Sequence, residues 1–179
     1  MSVSGSSPTG TGSITASFTG GDTGCGFSAQ QFIPLTGNAA SPPAGSAPSG
    51  VTFPQGLFNF TVRNCLTSGA TLTFTITYPQ ALDAGTQLWK YGKTADNSTS
   101  HWYALPATVS GNTITFSITD GGMGDDDLTA NGTIVDPDGP GTPAPVPTMG
   151  EWAMIVMTML LAAAGVLALR RRPGGAASV

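Results

Sequence analysis

The residues able to do acid–base or metal chemistry are few, and most of them are aspartates. The 179-residue chain has one histidine, His101, and one glutamate, Glu151. Six of its ten acidic residues fall between residues 120 and 138, with no basic residue among them. Crowded carboxylates repel one another unless a cation or a set of N–H donors neutralises them. The aspartate-rich segment is therefore the first candidate site.

Calcium is one partner that suits this segment, because Ca²⁺ prefers oxygen ligands and the nearby glycines allow a tight backbone. The candidate ligands are Asp120, Asp125, Asp127 and Asp136. Their spacing does not match an EF-hand loop and includes no glutamate. The alternative is a solvated turn segment whose aspartates cap local N–H groups, with Asp120-Gly121 and Asn131-Gly132 as turn dipeptides. No other cofactor is expected.

Enzymatic chemistry has weak support. A hydrolase could use Asp125 and Asp127 with His101 as proton carrier. No G-x-S-x-G or H-E-x-x-H motif accompanies these residues. We expect a protein that is not an enzyme.

The two cysteines, Cys25 and Cys65, are expected to form a disulfide in an exported domain. The bond would close a loop of about 40 residues and stabilise the fold by roughly 4 kcal/mol. A catalytic or metal-binding cysteine is the alternative, although the sequence places no histidine near either one.

Composition limits the class of protein further. Only 9% of the residues are charged, against about 25% in an ordinary soluble domain. Before residue 170 the basic residues are Arg63, Lys90 and Lys93, which argues against nucleic-acid binding. Hydrophobic residues make up 40% of the chain, enough for one core in one modest domain with tails.

Alternation of apolar and hydroxyl side chains predicts β-strands. The clearest runs are 13–19, 58–62, 71–78 and 113–119, and weaker ones are 28–33, 87–91 and 101–105. The pattern predicts an all-β fold, an antiparallel Ig-like sandwich of about seven strands over residues 13–140. Residues 1–12 are expected to be a linker and 37–50 a loop.

Four aromatic residues near the middle of the chain could form a glycan-binding platform. They are Trp89, Tyr91, Trp102 and Tyr103. Packing at strand ends is the alternative interpretation. A surface module that binds a glycan or protein therefore stays open as a second function, as does self-association through strand edges with few charges.

The C-terminal end predicts a membrane segment. Residues 152–169 carry no charge, and a helix of this length would reach roughly 27 Å, close to the thickness of a bilayer core. Arg170, Arg171 and Arg172 follow as a stop-transfer cluster, so residues 170–179 are expected to be a basic cytoplasmic tail and the body periplasmic. A buried core helix is the alternative. Residues 1–13 do not read as a signal peptide, which suggests the end of a longer exported protein or a misassigned start.

The predicted Pro-rich spacer, residues 141–151, leads into a motif at the start of this segment. The motif residues are Val146, Pro147, Thr148, Met149, Gly150, Glu151 and Trp152. With the apolar helix and the arginines, they resemble the IPTL-CTERM sorting signal of Gram-negative bacteria, with Val146 in place of Ile and Met149 in place of Leu. The resemblance implies recognition by an exosortase-type membrane peptidase. A plain tail anchor is the alternative.

The body resembles choice-of-anchor U domains. The segments concerned are FPQGLFNF (53–60), AGTQLWKYG (84–92), HWY (101–103) and DGGMGDDDLTANGTIVD (120–136). This resemblance implies an export-competent domain beside an anchoring signal and implies no activity. The sequence thus predicts a non-enzymatic cell-envelope protein, inserted in the inner membrane with its body in the periplasm and then delivered to the cell surface.

Overall fold

The computed structural model describes residues 1–65, 67–144 and 149–170. The chain divides into two compact units, Met1–Ala144 and Pro145–Val179. The first unit, called the body below, contains all the described strands, and the second contains the described helix.

Eleven strands are present in the described part of the body. They are β1 (Ser2–Ser6), β2 (Ser13–Gly20), β3 (Gly26–Ile33), β4 (Val51–Thr52), β5 (Leu57–Arg63), β6 (Thr71–Thr77), β7 (Gln87–Thr94), β8 (Asn97–Leu105), β9 (Ala107–Ser110), β10 (Thr113–Thr119) and β11 (Ile134–Pro143). All the clear and weaker sequence candidates correspond to one of these strands.

The strands form two antiparallel sheets. One sheet has the order β1-β2-β6-β10-β9, and the other has the order β3-β5-β11-β7-β8 with β4 paired to β11. The predicted sandwich of antiparallel sheets is confirmed. The described strands number eleven rather than the seven expected, because short segments such as β1, β4 and β9 lack the alternating apolar pattern.

The core lies between the sheets, where the apolar residues of each alternating run point. In β6, Leu72, Phe74 and Ile76 are fully buried. The hydroxyl side chains between them stay on the outer face and pair across strands, for example Thr71 with Thr119 at 2.8 Å. Alternation of this kind fixes the register, since a shift of one residue would expose the apolar face.

The predicted linker over residues 1–12 is wrong for its first half. Residues 2–6 form β1, which pairs antiparallel with β2 from Ser2↔Ser17 to Ser6↔Ser13. Val3 packs against the core from this strand. The small polar residues beside it gave no apolar pattern, so pairing with the β2 edge decides the structure here.

The predicted boundary between the sandwich and the spacer also shifts. Strand β11 continues to Pro143, with Gly141 opposite Gln87 and Thr142 opposite Thr52. The first residues of the predicted spacer therefore belong to the sheet.

The disulfide between Cys25 and Cys65 is present, with the two Cα atoms 4.3 Å apart. It joins the residue before β3 to the loop after β5, and these two strands are neighbours in one sheet. The expected pairing of the cysteines is confirmed.

The second unit contains helix α1, Met149–Arg170. The described residues include no helix that combines the length and apolar character required to cross a bilayer. The transmembrane helix expected over residues 152–169 is thus not found, although the helix itself is.

Candidate functional site

A lysine and two aspartates face one another inside the sandwich. Asp138 on β11 lies directly opposite Lys90 on β7, and Asp136 precedes it on the same face of β11. Side chains two residues apart in a strand point the same way. Ile134 and Leu88, which share these faces, belong to the hydrophobic core. The three polar side chains therefore lie in the core of the body.

All three groups are shielded from water, with Lys90, Asp136 and Asp138 each 0% exposed. Lys90 Nζ lies 2.5 Å from Asp136 Oδ1, and it is also 3.5 Å from Asp126 Oδ1. Asp126, on the loop before β11, keeps partial contact with solvent. We call Lys90, Asp126, Asp136 and Asp138 the buried Lys–Asp cluster.

The carboxyls of this cluster outnumber its amine, so they compete for one positive charge. Burial raises the pKa of Asp136 to about 6, although the charge of Lys90 opposes the shift. Burial, and then the charge of Asp136, raise the pKa of Asp138 well above its ordinary value. Both causes favour the protonated form of Asp138, and a protonated Asp138 can donate a hydrogen bond to Asp136.

Two tyrosines border the buried Lys–Asp cluster. Tyr103 on β8 lies opposite Lys90. Its pKa is raised mainly by burial and, to a smaller extent, by the charges of Asp136 and Asp126. The pKa of Tyr78 is also raised, mainly by burial and to a smaller extent by the charge of Asp138. Both phenols therefore stay protonated around the cluster.

Sequence reasoning missed the role of Lys90 and Asp138. The available signal was the alternation of side chains along each strand. Lys90 lies two residues from Leu88, and Asp136 and Asp138 lie two and four residues from Ile134, so each points to the same side as the apolar residue. An ionisable residue at an inward-facing position of a strand indicates a buried partner.

The proposed calcium ligands do not come together. No group of three or more His, Cys, Asp or Glu residues in the described ranges is arranged to hold a metal ion. Asp136 contacts Lys90 instead. The predicted calcium site is therefore not found.

The other three predicted ligands accept hydrogen bonds from nearby N–H groups. Asp120 accepts from the backbone of Gly69, Asn131 and Gly132, at 2.8, 3.2 and 2.7 Å. This carboxylate therefore connects the loop before β6 to the loop before β11. The observation supports the alternative interpretation, in which the aspartates cap backbone donors.

Asp125 and Asp127 also have local partners. Asp125 accepts hydrogen bonds from the Gly121 and Val135 backbone, and the exposed Asp127 accepts from the backbone of Thr129. His101 Nδ1 lies 2.9 Å from the carbonyl oxygen of Thr99, within its own strand. The three residues considered for hydrolysis thus each have a separate local contact.

The four aromatic residues do not share one surface. Tyr103 faces the core, whereas Trp89, Tyr91 and Trp102 lie on the outer face of the same sheet. Trp102 packs 4.9 Å from Phe53, between ring centroids, and donates a hydrogen bond to Ser46. The packing interpretation is supported for Tyr103 and Trp102, and a shallow groove remains along the outer face.

The C-terminal unit presents apolar side chains around the described part of α1. Met154, Met159 and Leu161 are each at least 65% exposed. Thr158 donates its hydroxyl to the carbonyl oxygens of Met154 and Ile155, so this polar group is satisfied within the helix.

Much of the predicted sorting motif lies outside the described residues. Val146, Pro147, Thr148, Arg171 and Arg172 are in this group, as are the side chains of Met149, Glu151 and Arg170. Gly150 and Trp152 are described and exposed.

Comparison with protein families identifies the class of segment at the C-terminus. Residues 144–172 match the IPTL-CTERM motif, as the sequence resemblance implied. The chain thus carries this sorting signal directly after the disulfide-bonded sandwich. No curated protein and no solved structure matches the chain.

Proposed function

We propose that this chain is a non-enzymatic cell-envelope protein whose β-sandwich is exported and delivered by its C-terminal sorting signal. The observation that carries the proposal is the IPTL-CTERM motif at residues 144–172, which begins where β11 ends. The sandwich is thus complete before the signal starts. Removal of the signal would leave the strands and the disulfide of the body intact.

The surface of α1 supports association with a membrane. Large apolar side chains exposed to water are costly, and a continuous apolar surface indicates a lipid or protein contact. The hydroxyl of Thr158 already has acceptors inside the helix, as an apolar environment requires. An exosortase-type peptidase at the outer face of the inner membrane is the partner that we propose for this segment.

The body supports a structural role in an oxidising compartment. Its two cysteines are joined, a state typical of exported proteins. We propose that it occupies the anchor-proximal position of choice-of-anchor U domains, where it would hold any upstream portion away from the membrane.

The sorting proposal is tested by localisation in a Gram-negative host with an exosortase-type peptidase. The wild-type chain is directed to export and compared with the double variant Glu151→Ala, Trp152→Ala. We expect the wild type beyond the inner membrane and the variant retained in it. Lys93→Gln, an exposed change in the body, is the matched control and should behave as wild type. Equal distribution of the wild type and the double variant would contradict the proposal.

A glycan-binding module is the second candidate, and the outer-face groove favours it. Trp89, Tyr91, Trp102 and His101 line this groove with Ser46, and aromatic faces suit sugar rings. Titration with a soluble chitohexaose, followed by tryptophan fluorescence, tests the candidate. Saturable quenching that Tyr91→Ala abolishes and Lys93→Gln preserves would support it, and no change in fluorescence would count against it.

A further inference from the structure

The buried Lys–Asp cluster brings an amine and a carboxyl into contact where water is excluded. Lys90 Nζ and Asp136 Oδ1 are 2.5 Å apart, and both side chains are fully buried. Burial removes the water that would otherwise stabilise charges on the two groups. Transfer of one proton from the ammonium to the carboxylate leaves a neutral amine beside a neutral acid, the forms that can condense.

We infer that Lys90 and Asp136 join spontaneously to form an intramolecular amide bond between strands β7 and β11. The inference rests on contact, shared burial and a neighbouring acid. It is independent of the proposed function.

The reaction balances in atoms and electrons without any further reagent. The lone pair of Lys90 Nζ attacks Cγ of Asp136, and a C–N bond forms. The C–O bond to the Asp136 hydroxyl then breaks, and the nitrogen loses a proton to the departing oxygen. One amide and one water molecule result. Fixing the two groups in contact replaces a bimolecular collision by a high effective concentration.

Asp138 is placed to carry the proton. It lies opposite Lys90 and on the same face as Asp136. In the described part of the chain neither of its oxygens has an N–H or hydroxyl partner, and Asp136 Oδ2 has none either. A protonated Asp138 donates to the carboxyl oxygen of Asp136, polarises Cγ, and regains its proton as water leaves. Asp138 ends the reaction unchanged.

The amide would strengthen the sandwich near its anchored end. It would connect residues 46 apart in sequence, and β11 is the last strand before the sorting signal. Tension applied through the C-terminus would then be shared with β7 through a covalent bond.

Mass spectrometry of the full chain, purified and reduced, tests the inference. The amide lowers the intact mass by one water molecule. Digestion with trypsin then distinguishes the amide from a succinimide, because trypsin does not cleave after an acylated lysine. With the amide present, residues 64–93 and 94–170 are recovered as one branched species after cleavage at Lys93.

A succinimide at Asp138-Gly139 would lose the same mass and still allow cleavage after Lys90. A linear peptide ending at Lys90, or an intact mass equal to that of the full sequence, would overturn the inference. This mapping uses the wild-type chain and does not depend on the folding of any variant.

Single substitutions test the role of Lys90 as the amine and of Asp138 as the proton carrier. Lys90→Met should show no water loss and no branched species, whereas Lys93→Met, on the same strand but exposed, should retain the water loss. Asp138→Asn should remain largely unlinked, with its fold checked by a cooperative urea unfolding transition. Linkage at the wild-type level in Asp138→Asn would overturn the role of Asp138.

Discussion

Individual carboxylates have two different tasks in this molecule. In the loops of the sandwich, Asp120 holds the segments before β6 and β11 together by accepting backbone hydrogen bonds. Inside it, Asp136 and Asp138 share the surroundings of a single lysine. The first task is structural and the second brings reactive groups together, so substitutions at the two sites should have different consequences.

The role of Asp120 predicts a large loss of stability on truncation. Asp120→Ala would leave three backbone N–H groups without their acceptor, so we expect the free energy of unfolding to fall by about 3 kcal/mol. Asp127→Ala, at an exposed turn, should cost less than about 1 kcal/mol. Urea unfolding of both variants measures the difference. Equal effects would contradict the loop-connecting role.

The burial of Asp138 predicts a particular pH dependence. Its pKa is raised in the folded state, so the folded chain binds this proton more tightly than the unfolded chain. The stabilisation is fully present below about pH 4, the ordinary pKa of an aspartate, and is lost as the pH rises through the folded pKa. The free energy of unfolding should therefore fall across this range.

Asp138→Asn should flatten this pH profile, and the exposed control Asp127→Asn should keep it. The prediction holds whether or not Lys90 and Asp136 are joined, because burial is the largest cause of the shift. A profile that is identical in wild type and Asp138→Asn would contradict it.

At the scale of elements, the disulfide fixes the start of β3 against the end of β5. Replacing both cysteines, Cys25→Ser with Cys65→Ser, should lower the free energy of unfolding by about 4 kcal/mol, because the unfolded chain gains freedom. Reductant should lower the melting temperature of the wild type and leave the double variant unchanged. If reductant lowered the melting temperature equally in the wild type and the double variant, its effect would not come from the disulfide.

Strands with alternating residues could be predicted from the sequence, and the others could not. Phe74 and its neighbours in β6 alternate with threonines, so both the strand and its buried face follow from the pattern. Strand β1 has only Val3 as an apolar inward residue, and its structure depends on the β2 edge that it pairs with. Such pairing is a tertiary effect that local propensity does not contain.

The candidate site was predictable only in part. The aspartate-rich segment drew attention to Asp120, Asp125, Asp127 and Asp136 by composition, but composition does not give the direction of a side chain. The register of β7 against β11 brings Lys90 to Asp138, and the two residues lie far apart in the sequence. Only the paired sheet shows that the cluster contains an amine.

At the scale of the whole molecule, the chain combines a disulfide-bonded sandwich with a sorting signal. The compact unit that forms the body ends at Ala144, and the IPTL-CTERM motif begins at the same residue. This coincidence suits a signal that can be removed or anchored without disturbing the fold. It also makes β11, with Asp136 and Asp138, the last described strand before the signal in the sequence.

The most direct test of this account is the C-terminus of the mature protein, read by mass spectrometry from the envelope of a host with the sorting peptidase. We expect it to lie upstream of Arg170, and to include Arg170–Arg172 when the peptidase gene is deleted. A mature protein that retains all three arginines in both hosts would contradict the sorting function.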